Sequence, residues 1–367
     1  PATTAIYTLS LPPALPFSPR SAQDDFADPD LAAPSVGPAR NRSHARWFVS
    51  ATTAQGTNTM QPEQIIQQRL VNQRLFASSF QRAAEVVQWL GAAQAQDYAG
   101  AKSALGLRLQ PAAPAFSDAA IEAEFDAGAI LRTHLLRPTW HFVTPADIRW
   151  LLALTAPRVH LANASYYRKA GLDDTLARRI GDVFAGALRD GVYMTREELR
   201  GVLATAGIST AGEFSMNYFL MRAELDGIIC SGPRRGRQFT YALLAERVPL
   251  ASPMTREEAL AELARRFLQS HGPATVHDLA RWASLPLAEA RSAVAAISAQ
   301  LQSTETDGKV WWFIPPAASS LAPGGQVHLL SIYDEYVIGY KEWSVVIDAA
   351  NAAQLQAMGN NLTAVVI

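Results

Sequence analysis

Twice the chain opens a helix with the same four-residue signal: Thr195 with Glu198 in TREELRGVLATAG, and Thr255 with Glu258 in TREEALAELARRFLQSHG. At this spacing the threonine hydroxyl accepts the third residue's backbone N–H, and the glutamate reaches back to the threonine's own N–H. The elements downstream of the two signals are alike as well. After the first comes a second helical stretch, AGEFSMNYFLMRAELDG, with Phe214, Tyr218, Met221 and Leu225 at helical spacing, and then a two-stranded stretch, IICSGPRRGRQFTYALL. After the second come VHDLARWASL and LAEARSAVAAISAQL, then LQSTETDGKVWWFIP, a hairpin around Asp307-Gly308. Helix, helix and hairpin in tandem is the winged-helix plan. In that plan the last helix faces a DNA groove and the hairpin is the wing.

A looser copy precedes both. QRAAEVVQWLG, a segment from 100 to 109 and SDAAIEAEFDAG supply its helices, and ILRTHLLRPTWHFV supplies its strands. EFDAGAI and ELDGII close their helices alike, with acid, apolar residue, Asp and a glycine stop. The expected fold is mainly α with small β hairpins (α+β): three tandem winged-helix domains followed by a C-terminal β-rich barrel domain. The first covers 60–145. A linking helix and the second cover 146–250, and the third covers 251–316. QVHLLSIYDEYVIGYKEWSVVIDA reads as strands, and the barrel expected over 325–367 is incomplete. Residues 1–59, rich in Pro, Ala, Ser and Thr, are expected to be a disordered or spurious leader, with Met60 a plausible start.

Composition narrows the function classes. Of 367 residues, 49% are hydrophobic and 18% charged, which suits packed cores. The net charge of −1 gives no global basic field, so any nucleic-acid binding must come from local patches. One cysteine, Cys230, excludes internal disulfides and fits a reducing cytoplasm, and the residue next to a turn reads as a small packed side chain. The seven histidines show no metal-ligand spacing, and no phosphate-cradling loop or nucleophile elbow is present. No cofactor or metal is expected, no apolar run reaches membrane length, and the expected state is a monomer in the cytoplasm, associated with the nucleoid.

Four places could carry chemistry. Arg234, Arg235 and Arg237 in GPRRGRQ put three guanidiniums on a projecting turn that can reach phosphates or a minor groove. LLRPTWHFV alternates, placing Arg137, Thr139 and His141 on one face, a stripe that could line a nucleic-acid cleft and bind DNA or equally be the satisfied polar face of a wing, with Pro138 suggesting an edge strand. IYDEYVIGYK alternates as well, with Asp334, Tyr336 and Tyr340 on one face and Tyr333, Glu335 and Val337 on the other. Asp334 is a possible auxiliary acid or a turn-capping one. GAAQAQDYAG holds Gln94 and Gln96, with Asp97 beside them. In an extended segment the two glutamines share a face and Asp97 points away; in a helix Gln94 and Asp97 come together. Asp97 could equally cap the next helix, and the pair could be a polar connector between helices.

GAAQAQDYAGAKSALGLRL, LRTHLLRPTWHFVTPADIRWLL, GPRRGRQFTYAL, HGPATVHDLARWASL and LLSIYDEYVIGYK, in that order, resemble the bacterial AlkZ-like (YcaQ-like) DNA glycosylases of the winged-helix superfamily, over roughly residues 60 to 350. The resemblance implies three winged helices and a β-barrel around a DNA-sized channel, and excision of N-alkylated, cationic N7 purines from double-stranded DNA, with unhooking of bulky crosslinks. It places the family's Q-Φ-Q signature on Gln94, Ala95 and Gln96, and its basic DNA-contacting hairpin on Arg234 to Arg237. Ala95 is at the small end of the apolar residues found in the middle place. The alternative is a non-enzymatic winged-helix DNA-binding protein or transcription regulator, which would show sequence-selective binding and no base release.

Overall fold

Both capping boxes form. Thr195 Oγ1 accepts the Glu198 N–H at 3.3 Å while Glu198 takes the Thr195 N–H at 2.6 Å, and Thr255 and Glu258 do the same at 3.2 and 2.8 Å. The computed structural model describes residues 59–114, 116–212, 215–315, 327–341, 345 and 364–366. The leader expected over 1–59 lies outside the described residues except for Thr59. Met60 is tied to the last hairpin: its N–H donates to Thr304 Oγ1 at 2.9 Å, and its carbonyl accepts from Thr306 Oγ1 at 2.7 Å.

Helix α1 (Pro62–Asn72) is followed by a unit of α2 (Ala83–Leu90), β1 (Ala93–Gln94), α3 (Tyr98–Gly106), α4 (Asp118–Asp126), β2 (Leu131–Leu135) and β3 (Thr139–Val143), with sheet order β1-β3-β2. The long α5 (Ile148–Lys169) leads to a second unit with the same order of elements. It comprises α6 (Asp174–Ala187), β4 (Met194–Thr195), α7 (Arg196–Thr205), α8 (Ser215–Leu225), β5 (Ile229–Ser231) and β6 (Thr240–Leu243), with sheet order β4-β6-β5. The sequence pattern missed α6. After the short α9 (Leu244–Arg247), a third unit runs α10 (Arg256–Ser270), α11 (Val276–Trp282), α12 (Leu287–Ala296), β7 (Gln302–Thr306) and β8 (Lys309–Phe313). Its first strand is reduced to a single bridge between Ala274 and Trp312. The Asp307-Gly308 turn has φ of 52° and 70°, the left-handed pair that a two-residue hairpin needs. None of the described helices is long and apolar enough to cross a membrane.

Two expectations fail for visible reasons. LLRPTWHFV is not one alternating strand. Leu136 takes φ 59°, so Arg137 and Pro138 form the turn of the β2–β3 hairpin, and β3 is the central strand of its sheet rather than an edge. IYDEYVIGYK is not a strand either. After β9 (Leu329–Ser331) the chain makes α13 (Glu335–Ile338), because the Asp334 side chain caps it by accepting the Tyr336 N–H at 2.8 Å. Tyr336 and Tyr340, four apart, then bury on one side. Among the described residues there is no barrel: β9 pairs only with β10 (Ala364–Val366), and the rest of the expected barrel lies outside them. Phe214, expected on the apolar stripe of α8, also lies outside the described residues.

The largest apolar core is shared. It joins Leu131, Leu135 and Val143 of the first sheet, Leu151, Leu154 and Val159 of α5, Met221 and Leu225 of α8, and Phe267, Leu279 and Trp282 of the third unit. Consequently α8, the helix expected to face a DNA groove, has no exposed residue. Its Glu224 is buried and accepts the His134 backbone N–H at 3.3 Å and the His134 imidazole.

The tail is locked to the first unit by charge. Arg108 is fully buried and forks onto Asp334, Nη1 to Oδ2 at 2.8 Å and Nη2 to Oδ1 at 2.7 Å, with further bonds to Ala104 O and Gln73 Oε1. Removing one partner of such a pair strands a buried charge, which costs about 3–5 kcal/mol. Asp334→Ala is therefore expected to lower the unfolding free energy by about that much in urea melts. A loss under about 1 kcal/mol, the surface-pair range, would contradict this role.

Candidate active site

The glutamine stretch begins where α2 stops. Gly91, at φ 84°, turns the chain out of the helix, and the small Ala92, Ala93 and Ala95, all buried, let the segment lie flat against the first sheet. Ala93 pairs with Phe142 and Gln94 with His141, so β1 is the edge strand beside β3. The Ala95 N–H continues the ladder to Trp140 O at 2.7 Å, and the Ala95 carbonyl accepts from Arg132 Nε at 3.0 Å. At Gln96 the ladder is finished by a side chain: Oε1 accepts the Trp140 N–H at 3.3 Å. The segment is extended, and Gln94 is buried while Gln96 is exposed.

Each amide is oriented by a donor that cannot accept. Gln94 Oε1 accepts from Arg137 Nη2 at 3.2 Å, and Gln96 Oε1 from a backbone N–H. Oxygen and nitrogen are thus assigned by chemistry at both residues. Each oxygen retains a second lone pair, and among the described residues neither NH₂ group has a partner.

Arg137, in the hairpin turn, is the centre of this arrangement. Its Nη1 donates to Trp282 O at 2.9 Å, and Nη2 also lies 3.3 Å from His141 Nε2. His141 Nδ1–H donates to Thr139 O at 2.9 Å, which leaves Nε2 as the acceptor. Burial first, then the neighbouring guanidinium, pull the His141 pKa down to about 3, so the ring is neutral. Burial also lowers Arg137 to about 10, which leaves it a cation at neutral pH. Arg137 and His141 therefore meet beneath Gln94, while Thr139 joins them only through its carbonyl. Thr139 Oγ1 is buried without a partner among the described residues.

One member of the site went unnoticed in the sequence. Glu335, at the start of α13, is buried, and its Oε1 accepts the Gln94 backbone N–H at 2.8 Å. Its Oε2 accepts Trp282 Nε1–H at 2.9 Å and lies 3.4 Å from His271 Nε2. Burial alone would raise its pKa. His271, Arg137 and the Gln94 N–H outweigh burial and hold the carboxyl at about 2. The only available signal was the acid next to Asp334, which faced the other way in a strand pattern. Asp334 itself is committed to Arg108 and its cap. Asp97 is exposed and takes the N-cap position of α3 without a side-chain bond; its Oδ2 would lie 2.6 Å from a Cβ at Gly100.

The basic hairpin splits into two roles. Arg234 turns inward, its guanidinium 4.2 Å from the Phe239 ring centroid and 4.9 Å from that of Tyr98, and 3.6 Å from Glu122. It fastens the hairpin to α3 and α4. Arg235 is exposed and paired with exposed Glu198 at 2.6 Å, an exchangeable surface contact. Arg237 is exposed, and its side chain makes no bond among the described residues. Cys230 is buried, and burial pushes its thiol up to about 12, so it is a packed residue rather than a nucleophile.

The neutral His141 leaves a mark on stability. Below its ordinary pKa of 6.5 the unfolded chain takes up a proton that the folded chain refuses, so stability falls as pH drops from about 6.5, by about 1.4 kcal/mol per pH unit for this residue. Urea melts at pH 6 and pH 5 are expected to show this slope in the wild type and lose about that much of it in His141→Gln; parallel curves would refute it.

The AlkZ-like DNA glycosylase family matches residues 87–366, which include both glutamines and Glu335. The interstrand DNA cross-link repair glycosylase of Streptomyces sahachiroi is 26% identical over 288 residues, 75% of this chain and 76% of that protein. The solved structure of the Streptomyces sahachiroi DNA glycosylase AlkZ shares the fold, with a TM-score of 0.67 at 23% identity over 80% of this chain and 81% of that one. With more than half of its length matched, the chain belongs to the AlkZ-like DNA glycosylase family.

Proposed function

We propose that the protein hydrolyses the N-glycosidic bond of cationic N7-alkylated purines in double-stranded DNA, with Gln94 and Gln96 positioning the water. The observation that carries this is the pair of oriented amides. Both carbonyl oxygens are pinned by obligate donors, yet each keeps a lone pair for a water hydrogen. An N7-alkylpurine already bears the positive charge that a leaving group needs. As C1′–N9 breaks, the bonding pair moves onto the base, which departs neutral, and the sugar becomes oxocarbenium-like. Water then adds to C1′ and gives its proton to solvent. Amides cannot act as strong bases, so their contribution is placement. The Streptomyces sahachiroi relative is a cross-link repair glycosylase by name. Unhooking of bulky crosslinks fits the same chemistry, since such an adduct resists full extrusion into a tight pocket.

The three helix–strand–helix–helix–hairpin units are best described as winged helices, falling within residues 60–145, 146–250 and 251–316. In the first two units DNA is met by the basic wing rather than by a recognition helix. In α8 no residue is exposed, and α4 carries Asp118, Glu122, Glu124 and Asp126, which would repel phosphates. That counts against a sequence-reading regulator. Arg235 and Arg237 supply the phosphate contacts, with a monomeric protein in the cytoplasm as the working form.

Single-turnover release of N7-methylguanine from a duplex tests the site. Gln94→Ala and Gln96→Ala are each expected to slow release by about 10²-fold with DNA affinity retained; normal turnover by the double variant would remove the glutamines from the mechanism. Arg235→Ala with Arg237→Ala should weaken DNA binding and flatten the salt dependence of log Kd by about two. An unchanged slope would mean that DNA is held elsewhere.

A further inference from the structure

Four bonds close a ring around Gln94. Its backbone N–H donates to Glu335 Oε1 at 2.8 Å, and Glu335 Oε2 accepts the Trp282 indole N–H at 2.9 Å. The Trp282 carbonyl accepts from Arg137 Nη1 at 2.9 Å, and Arg137 Nη2 returns to Gln94 Oε1 at 3.2 Å. The ring enters Gln94 through its main chain and leaves through its side chain, so it fixes both the position of β1 and the rotation of the amide. Its members come from the first sheet, α11 of the third unit and α13 of the tail. We propose that Glu335 is a positioning residue for Gln94, carried by the C-terminal segment, which thereby completes an active site built on the first unit. The inference rests on Gln94 facing the reacting water.

Chemistry makes the carboxylate hard to replace. Two N–H groups, one from Gln94 and one from Trp282, point at its two oxygens, and only a group with acceptors at both ends satisfies both. A glutamine must turn its NH₂ toward one of them. The charge matters as well. Arg137 places a cation below a site where a sugar cation develops, and buried Glu335 supplies the opposing charge. The carboxyl is ionised at neutral pH, held well below the usual range by His271, Arg137 and the Gln94 N–H against the cost of burial. The segment that presents it is itself fixed, because the adjacent Asp334 is gripped by Arg108.

The test is a mutant cycle on the full chain, reading single-turnover release of N7-methylguanine, duplex Kd and thermal melting. Glu335→Gln is expected to slow release by about 10²-fold, with Kd within about twofold and a cooperative melt. Gln94→Ala added to it should cost little more, because both act through one amide. Trp282→Phe added to Glu335→Gln removes the donor that opposes the new NH₂ and is expected to recover at least about tenfold of the loss. If Glu335→Gln alone does not melt cooperatively, the cycle is run in the Trp282→Phe background, where the same non-additivity is expected. Glu335→Gln at wild-type rate while Gln94→Ala is slow would overturn the role of Glu335 and leave the glutamine chemistry standing. Additive losses, or losses that only track melting and Kd, would make Glu335 merely structural. Wild-type release by Gln94→Ala would instead remove the reading on which the inference rests.

Discussion

A guanidinium taken out of water must find acceptors, and Arg137 finds three, two on neighbouring strands of the first sheet and one in the third unit. One is the main-chain carbonyl of Trp282, one the side chain of Gln94 and one the ring nitrogen of His141. The first ties the first sheet to the third unit, the second orients an amide, and the third requires a neutral imidazole. Trp282 sits in the core shared by the first sheet, α5 and α10, so that packing carries the reference frame for Gln94. A charged group in this place is costly alone. It persists because Glu335 answers its charge and because both Nη nitrogens of the fork are engaged in position, a constraint that also explains why the site gathers parts so distant along the chain.

Much of this was legible in local sequence chemistry. The threonine–glutamate pairs at 195 and 255 marked helix starts that the hydrogen bonds reproduce, and Asp307-Gly308 marked its hairpin. These signals depend on residues a few positions apart, which a sequence displays directly. The glutamine pair was visible as a motif, but its strand was not: two residues carry no period, and β1 exists only because β3 lies beside it. Alternation misled twice, for one reason. In 135–143 a left-handed Leu136 breaks the strand, and in 332–341 the Asp334 cap starts a helix; both are single-residue events inside an apolar/polar alternation. Glu335 stayed hidden because its partners lie at 94, 271 and 282, and nothing in the spacing of a single chain announces such a meeting.

Burial also separates the arginines of the basic hairpin. Three within four residues read as one electrostatic feature, but Arg234 is spent on Tyr98, Phe239 and Glu122, beside the helix that comes after the glutamines. The hairpin is thus a brace for the neighbourhood of the glutamine strand and, in the proposed function, a surface for phosphate as well. Arg235 and Arg237 stay outside, where exposed charge exchanges partners at little cost. Acidic α4 and buried α8 leave little of the groove-reading mode in the first two units, which suits an enzyme that meets a lesion anywhere in DNA better than a protein that reads one operator.

In the function proposed above, two neutral amides over a cationic support make a narrow catalyst. They can place water but cannot protonate a leaving base, and Arg137 gives no help to a developing sugar cation. On that proposal the site assists a bond already primed by the charge of the adduct. The direct measurement is the enzyme-dependent rate of base release from one duplex sequence carrying either N7-methylguanine or a neutral lesion such as uracil. Release of the cationic base is expected well above its spontaneous rate, with no detectable release of the neutral one; comparable release of uracil would contradict a site that only places water.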